Sequence, residues 1–266
     1  MLRNIFLKSV RDSVKTILAI FILLFLTCLM VMFVVAELPM EEFQRIIDLL
    51  PKGLLTAFAG PAGIDLSTPE GVLNTDMFTV FIPLILIGSA IYYGYDSTAK
   101  EEESRTLDLI LSTGISRSNF LIQKLFALTA KIFLIICGLI ISIIITGTIF
   151  DLNIAMTNIL AICIQLFLIS TTLGFIASMI GTILGKSSHV FGIASGIAII
   201  SYFLYTLEPF LKDFENLKYL SLFYYYKGGD PLVQGFHSWH WSIFIATDLI
   251  ALTVALYFWK KRDLNN

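Results

Sequence analysis

An all-α polytopic membrane protein with six transmembrane helices is the fold class that the sequence predicts, and three observations predict it. Apolar residues make up 57% of the chain and charged residues 14%, where soluble domains average about 45–50% and about 25%. The apolar residues gather in runs of about twenty, long enough to cross a hydrocarbon core of roughly 30 Å. Lysine and arginine concentrate in alternate gaps between those runs, which is how the positive-inside rule distributes them. A formal net charge of −2 with no basic surface excludes a nucleic-acid binder. Cys28, Cys137 and Cys163 all fall inside apolar runs and read as small buried hydrophobes, not as a disulfide framework or metal site.

The elements follow in order along a single domain, 1–266. Residues 1–15 carry Leu2, Ile5, Phe6 and Val10 on one helical side and Lys8, Arg11 and Lys15 on the other, the pattern of a helix lying in the membrane interface. Spans are expected at about 16–36, 77–95, 126–150, 159–184, 190–207 and 243–258. The first is too long for a signal-peptide core. Between the first two spans an acidic loop, Glu37 to Asp76, carries an amphipathic stretch at Phe43, Ile46, Ile47 and Leu50, a Gly60-Pro61 turn, and a helix start with Thr68 as cap and Pro69 in the first turn. Loops of that length usually hold structure of their own, and short outer helices are expected there and between Glu208 and Trp241. Lys124 and Lys131 sit at one end of the third span, where long stems can snorkel. Arg3, Lys8, Arg11, Lys15, Lys100, Arg105, Arg117, Lys124, Lys186, Lys260, Lys261 and Arg262 fall on one side of the six-span layout. That side is assigned to the cytoplasm, with both termini.

Residues 96–124 form a charged stretch between long apolar runs with a helical pattern of its own. Glu101, Glu102 and Glu103 are followed by Arg105, Asp108 and Arg117, with Leu107, Ile110 and Leu111 at i, i+3 and i+4 on one face. Gly114 can end this helix in a left-handed cap, and Ser116 can start the next. A short charged helix in a cytoplasmic loop is suited to docking against another protein.

The segment from Glu102 to Arg117, EESRTLDLILSTGISR, resembles the intracellular loop of ABC-type exporter permeases, the ABC type 2 transporters. Their pattern runs acid, acid, x, Gly, Thr, Leu, acid, x, Leu, Leu, x, x, Pro, x, Ser, Arg. Glu102, Glu103, Thr106, Leu107, Asp108, Leu111, Ser116 and Arg117 match it; Arg105 replaces Gly and Gly114 replaces Pro. The resemblance implies a non-catalytic permease subunit in the plasma membrane of a prokaryote, with an interfacial helix before the spans and short outer helices between the fifth and sixth. It implies a second permease copy or homologue, ATPase subunits that carry the ATP and Mg, and no cofactor on this chain. Docking to the ATPase would fall to Glu101, Glu102, Glu103, Arg105, Leu107, Asp108, Leu111 and Arg117. The other function classes open to the layout are a secondary transporter and a non-transport membrane subunit.

Other candidates for chemistry are weaker. Gly181 to Ser187 has three residues between its glycines where a phosphate-binding P-loop needs four; Gly181 with Gly185, and Gly192 with Gly196, read as small-residue packing surfaces. Asp248 lies deep in the sixth span as a possible intramembrane polar site, either a proton or cation site or an acid bonded to neighbouring hydroxyls, with Ser242 and Thr247 nearby. His237 and His240 make an incomplete metal site, and beside Trp239 and Trp241 they read as part of an interfacial aromatic belt.

Overall fold

The computed structural model describes residues 4–37, 49, 71, 73–107, 110, 112, 114–152, 155–208, 212–235 and 239–261. Among these the ordered elements are helices with no strand. A short α1 (Ile5–Asp12) opens with Asn4, whose side chain accepts from the Phe6 amide, and turns at Ser13 into α2 (Val14–Glu37). A π-helix (Leu73–Phe81) runs directly into α3 (Ile82–Asp96), followed by α4 (Ala99–Glu103) and the long α5 (Arg117–Ile149). Then come α6 (Met156–Leu184), α7 (Ser187–Thr206), a 3₁₀ turn (Lys212–Leu220), α8 (Leu222–Lys227), α9 (Pro231–Gln234) and α10 (His240–Lys261).

Six of these helices are long and apolar enough to cross a membrane: α2, the π-helix end joined to α3 (Met77–Asp96), α5, α6, α7 and α10. The third begins earlier than hydropathy alone suggests. Ser116 accepts from the Asn119 amide as an N-cap, so the helix starts at Arg117 and its first turns lie beyond the apolar run. The expected outer helix at Phe43–Leu50, the Gly60-Pro61 turn and the Thr68-Pro69 helix start lie outside the described residues.

The bundle is organised around α6, which packs against α3, α5, α7 and α10 and is the most enclosed of the six. The tightest approach is between α3 and α6. A Cβ on Gly94 would stand 2.4 Å from the Gly174 carbonyl oxygen and 2.7 Å from the Ala177 Cβ. Gly181 likewise lets Thr98 pack onto α6. Gly185 does not pack as a small-residue surface: at φ +63 it is the left-handed C-cap of α6. Gly192 and Gly196 meet open space among the described residues.

This predicts opposite outcomes for two Gly→Ala substitutions. At Gly94 the obstruction is backbone, which cannot turn aside, and overpacking of this kind costs about 1–3 kcal/mol. Gly94→Ala should lower the thermal midpoint of the detergent-solubilised protein, whereas Gly192→Ala, with room for its methyl and a gain of about 0.5–1 kcal/mol in helix propensity, should hold or raise it. Equal midpoints for the two would contradict the α3–α6 contact.

Candidate functional site

The 96–117 segment is tied to the bundle by ion pairs. Asp96, the last residue of α3, takes the Lys100 ammonium at 2.6 Å on Oδ1, one helical turn ahead, and lies 3.5 Å from Lys131 and 3.7 Å from Lys124 through Oδ2. Lys124 also donates to the Asp96 main-chain oxygen at 3.2 Å and to Glu101 Oε1 at 2.8 Å. The other Glu101 oxygen accepts from the Thr106 hydroxyl. Lys131 sits 4.6 Å from the centroid of the Tyr93 ring, an arrangement that adds cation–π attraction where water is excluded.

Two carboxylates thus hold three ammonium groups. Lys124 and Lys131 do not snorkel towards water as their position in the third span suggests: their side chains are 7% and 2% exposed and turn inward to Asp96 and Glu101. Removing charges from water is costly, and the arrangement persists only because each is paired and further hydrogen-bonded. Burial alone would raise the Glu101 carboxyl. Lys124 beside it, with hydrogen bonds from Lys124 and Thr106, outweighs burial and holds the group below its ordinary value.

The other acids are anchored too. Glu103 Oε1 accepts from the Ser187 amide at 2.7 Å, at the first turn of α7, and Oε2 accepts from the Tyr95 hydroxyl at 2.9 Å. That backbone bond, with side-chain hydrogen bonds from Tyr95 and Ser187, outweighs burial and lowers the Glu103 carboxyl. Ser97 bonds Ser178 of α6 at 2.8 Å. The segment therefore touches α3, α5, α6 and α7 through specific polar contacts.

The segment is not one continuous helix from Glu101 to Arg117. The α4 turn stops at Glu103; Arg105 takes a left-handed φ of +54, and Gly114 takes +86. Leu107 is 3% exposed and packs with Phe120, Leu121, Leu125, Ala255 and Trp259. Phe120 and Trp259 stack at 6.2 Å, and the Trp259 indole donates to the Arg117 carbonyl at 3.1 Å. Leu107 thus closes a small core between the segment, α5 and α10. Glu102 is half-buried and Arg117 opens α5, while Ser104, Arg105, Ser112, Gly114 and Ser116 are exposed. Asp108 and Leu111 lie outside the described residues.

The remaining candidates fall elsewhere. Asp248, on α10, faces Thr172 of α6; the hydroxyls of Ser242 and Thr247 bond carbonyls of their own chain, Trp239 and Ile243. His240 is buried among Trp239, Tyr224 and Tyr225, with the Trp239 ring 4.3 Å away, and His237 lies outside the described residues. Asp96, Lys124 and Lys131, which sequence reasoning did not single out as a site, carry most of the geometry. A signal for them exists: Asp96 and Lys100 are spaced i, i+4, within reach of an ion pair, and Lys124 and Lys131 are spaced i, i+7, on one face of α5.

The depressed Glu101 carboxyl fixes the sign of a pH effect. Its contribution is fully present above the ordinary value of 4.5 and is lost as pH falls through the lowered one. Amide protection across 99–107, corrected for intrinsic exchange, should be flat at neutral pH and fall in acid. Glu101→Gln should lower the neutral plateau and flatten the acid limb. A native profile without an acid limb would contradict the Glu101–Lys124 tie.

A family model described as ABC-2 family transporter protein matches residues 3–227. No curated protein and no solved structure matches the chain. The match covers well over half of the sequence and takes in five of the six long apolar helices, all but α10. With six helices able to cross a membrane, the molecule is a multi-pass membrane protein and the permease part of an ABC transporter. The chain belongs to the ABC-2 family of transporter proteins.

Proposed function

We propose that this permease works as an exporter, pairs with a second copy or homologue, and is driven by separate ATPase subunits that seat on the 99–117 segment and carry the ATP and Mg. The observation that carries this reading is the ion-pair tie of Asp96, Glu101, Lys124 and Lys131. A loop loosely attached to its spans could bind a partner but could not move them. Here a displacement of α4 pulls directly on Lys124 of α5 and, through Glu103, on the first turn of α7. ATP binding would do work on the permease only through contacts that differ between two states of this segment. The lysine and arginine distribution supports placing the segment, and both termini, in the cytoplasm.

Leu107 and Glu101 are engaged inside the chain, so on this reading the partner would meet the exposed rim, Ser104 and Arg105 with the internally anchored Glu103 beside them, continued by Ser112 and Ser116. The cargo class follows from none of these residues; apolar spans must face lipid whatever passes between them.

Arg105→Glu reverses a charge on the rim without touching the internal ion pairs. Removing one partner of a desolvated interfacial pair costs roughly 2–5 kcal/mol, an exposed one about 0–1. We expect Arg105→Glu to insert and to keep the native thermal midpoint, yet to lose most of its co-purifying ATPase. Leu107→Asp should fail earlier, by breaking the Phe120–Trp259 core. Full ATPase recovery and undiminished permease-stimulated hydrolysis with Arg105→Glu and with Glu103→Lys would remove the segment from the docking role.

A further inference from the structure

At the end of the bundle away from the 96–117 segment lies a second polar assembly that the ATPase-driven reading does not use. The second span does not begin as an α-helix. Its first part, Leu73–Phe81, is a nine-residue π-helix. Such helices are rare and usually last a single turn, because i→i+5 bonding packs poorly, and they cluster where function demands them. A run of this length needs support from outside.

The support comes from α8 and the turn after it. The Tyr226 hydroxyl donates to the Phe78 carbonyl at 2.8 Å. The Lys227 ammonium donates to the Asn74 carbonyl at 3.1 Å and to the Asn74 side-chain oxygen. The Asn74 amide in turn donates to Asp230 at 2.9 Å, and the Thr79 hydroxyl returns to the Asn74 carbonyl at 2.7 Å. Tyr226 is fully buried and Lys227 is 3% exposed. The arm is itself anchored. The Ser221 hydroxyl donates to the Ser201 carbonyl at 2.6 Å and caps the Tyr224 amide, while Ser201 Oγ takes the Phe223 amide at 3.1 Å. A rigid arm held on α7 therefore grips two carbonyls and one side chain of the π-helix.

The grip is specific to register. An i→i+5 helix holds about one residue more per turn than an α-helix at 100° per residue, so rewinding all nine residues would turn everything before the change by roughly 100° or more relative to α3. Asn74 would swing away from Lys227 and Asp230, and Met77 and Phe78 would leave the core they now fill at 0% and 1% exposure. We propose that the Ser221–Asp230 arm is a clasp that selects the π register at the start of span two, and that its release lets Leu73–Phe81 rewind to α-helix and rotate that end of the span. Burial pushes the Lys227 amine down to about 8, with Asp230 only partly offsetting it, so the cation that grips the two Asn74 oxygens is held there at a cost that hydration would relieve.

The test is thiol labelling with a water-soluble maleimide in a Cys137→Ala background, where Cys28 and Cys163 are buried and silent. Single probes go at Met77→Cys, buried, and Val80→Cys, exposed. With the clasp intact, the first should be protected and the second reactive. In the Tyr226→Phe, Lys227→Met double variant, Met77→Cys should gain about tenfold or more in labelling rate, since protection then reports local opening. Tyr226→Phe alone should give a smaller gain, and Cys28 and Cys163 should stay silent. Two results overturn the proposal. In one, Met77→Cys stays as protected as before in both variants, so the π register does not depend on the arm. In the other, Cys28 and Cys163 become reactive along with it, which makes the arm ordinary packing whose loss loosens the whole bundle.

Discussion

A carboxylate at the end of a membrane helix, surrounded by three ammonium groups, is the constraint on which the loop end of this molecule depends. Asp96 closes α3 and meets Lys100, Lys124 and Lys131. Lys124 and Lys131 are withdrawn from bulk water, and neither could remain so without Asp96, while Lys100 pairs with it from a half-exposed position. The pairing therefore does more than add stability: it fixes the positions of α3, α4 and α5 relative to each other. Glu101 extends the tie to Thr106, Ser97 extends it to α6 and Glu103 to α7. Five helices that hydrophobic packing could leave free to slide are held by groups with definite geometry.

The fold was legible because its cause is local. A run of about twenty apolar residues makes a spanning helix whatever its neighbours are. The site was less legible because periodicity states which residues share a face and not what the face meets. Leu107, Ile110 and Leu111 fit a docking surface as well as an internal one, and Leu107 belongs to an internal core with Phe120 and Trp259. Lys124 and Lys131 at the end of a span are compatible with snorkelling, and the proximity of Asp96 and Glu101 turns them inward. The π-helix at Leu73–Phe81 leaves no compositional mark, since its register is imposed by Tyr226 and Lys227 from about 150 residues further on.

The two departures from the permease loop pattern also gain a physical meaning. Arg105 occupies the position where the related pattern has glycine, and its φ is +54. A left-handed residue costs a side chain roughly 1–2 kcal/mol that glycine does not pay. Gly114 occupies the position where the pattern has proline, and its φ of +86 is one that proline, fixed near −65°, cannot adopt. The chain keeps the acidic and apolar positions of the loop while turning it by a different backbone route.

Span two joins the two ends of the molecule. From Ile82 to Asp96 it is unbroken α-helix, with the ion cluster at one end and the clasped π-helix at the other, so motion of the loop can reach the far side along a single rod. Whether the Glu101–Lys124 pair transmits force as a unit is measured by a double-mutant cycle on permease-stimulated ATP hydrolysis with Glu101→Gln and Lys124→Met. If the pair is the link, either single change should reduce stimulation and the double variant should be no worse than the poorer single. That non-additivity would correspond to a coupling of about 0.5–3 kcal/mol. Losses that simply add would contradict it.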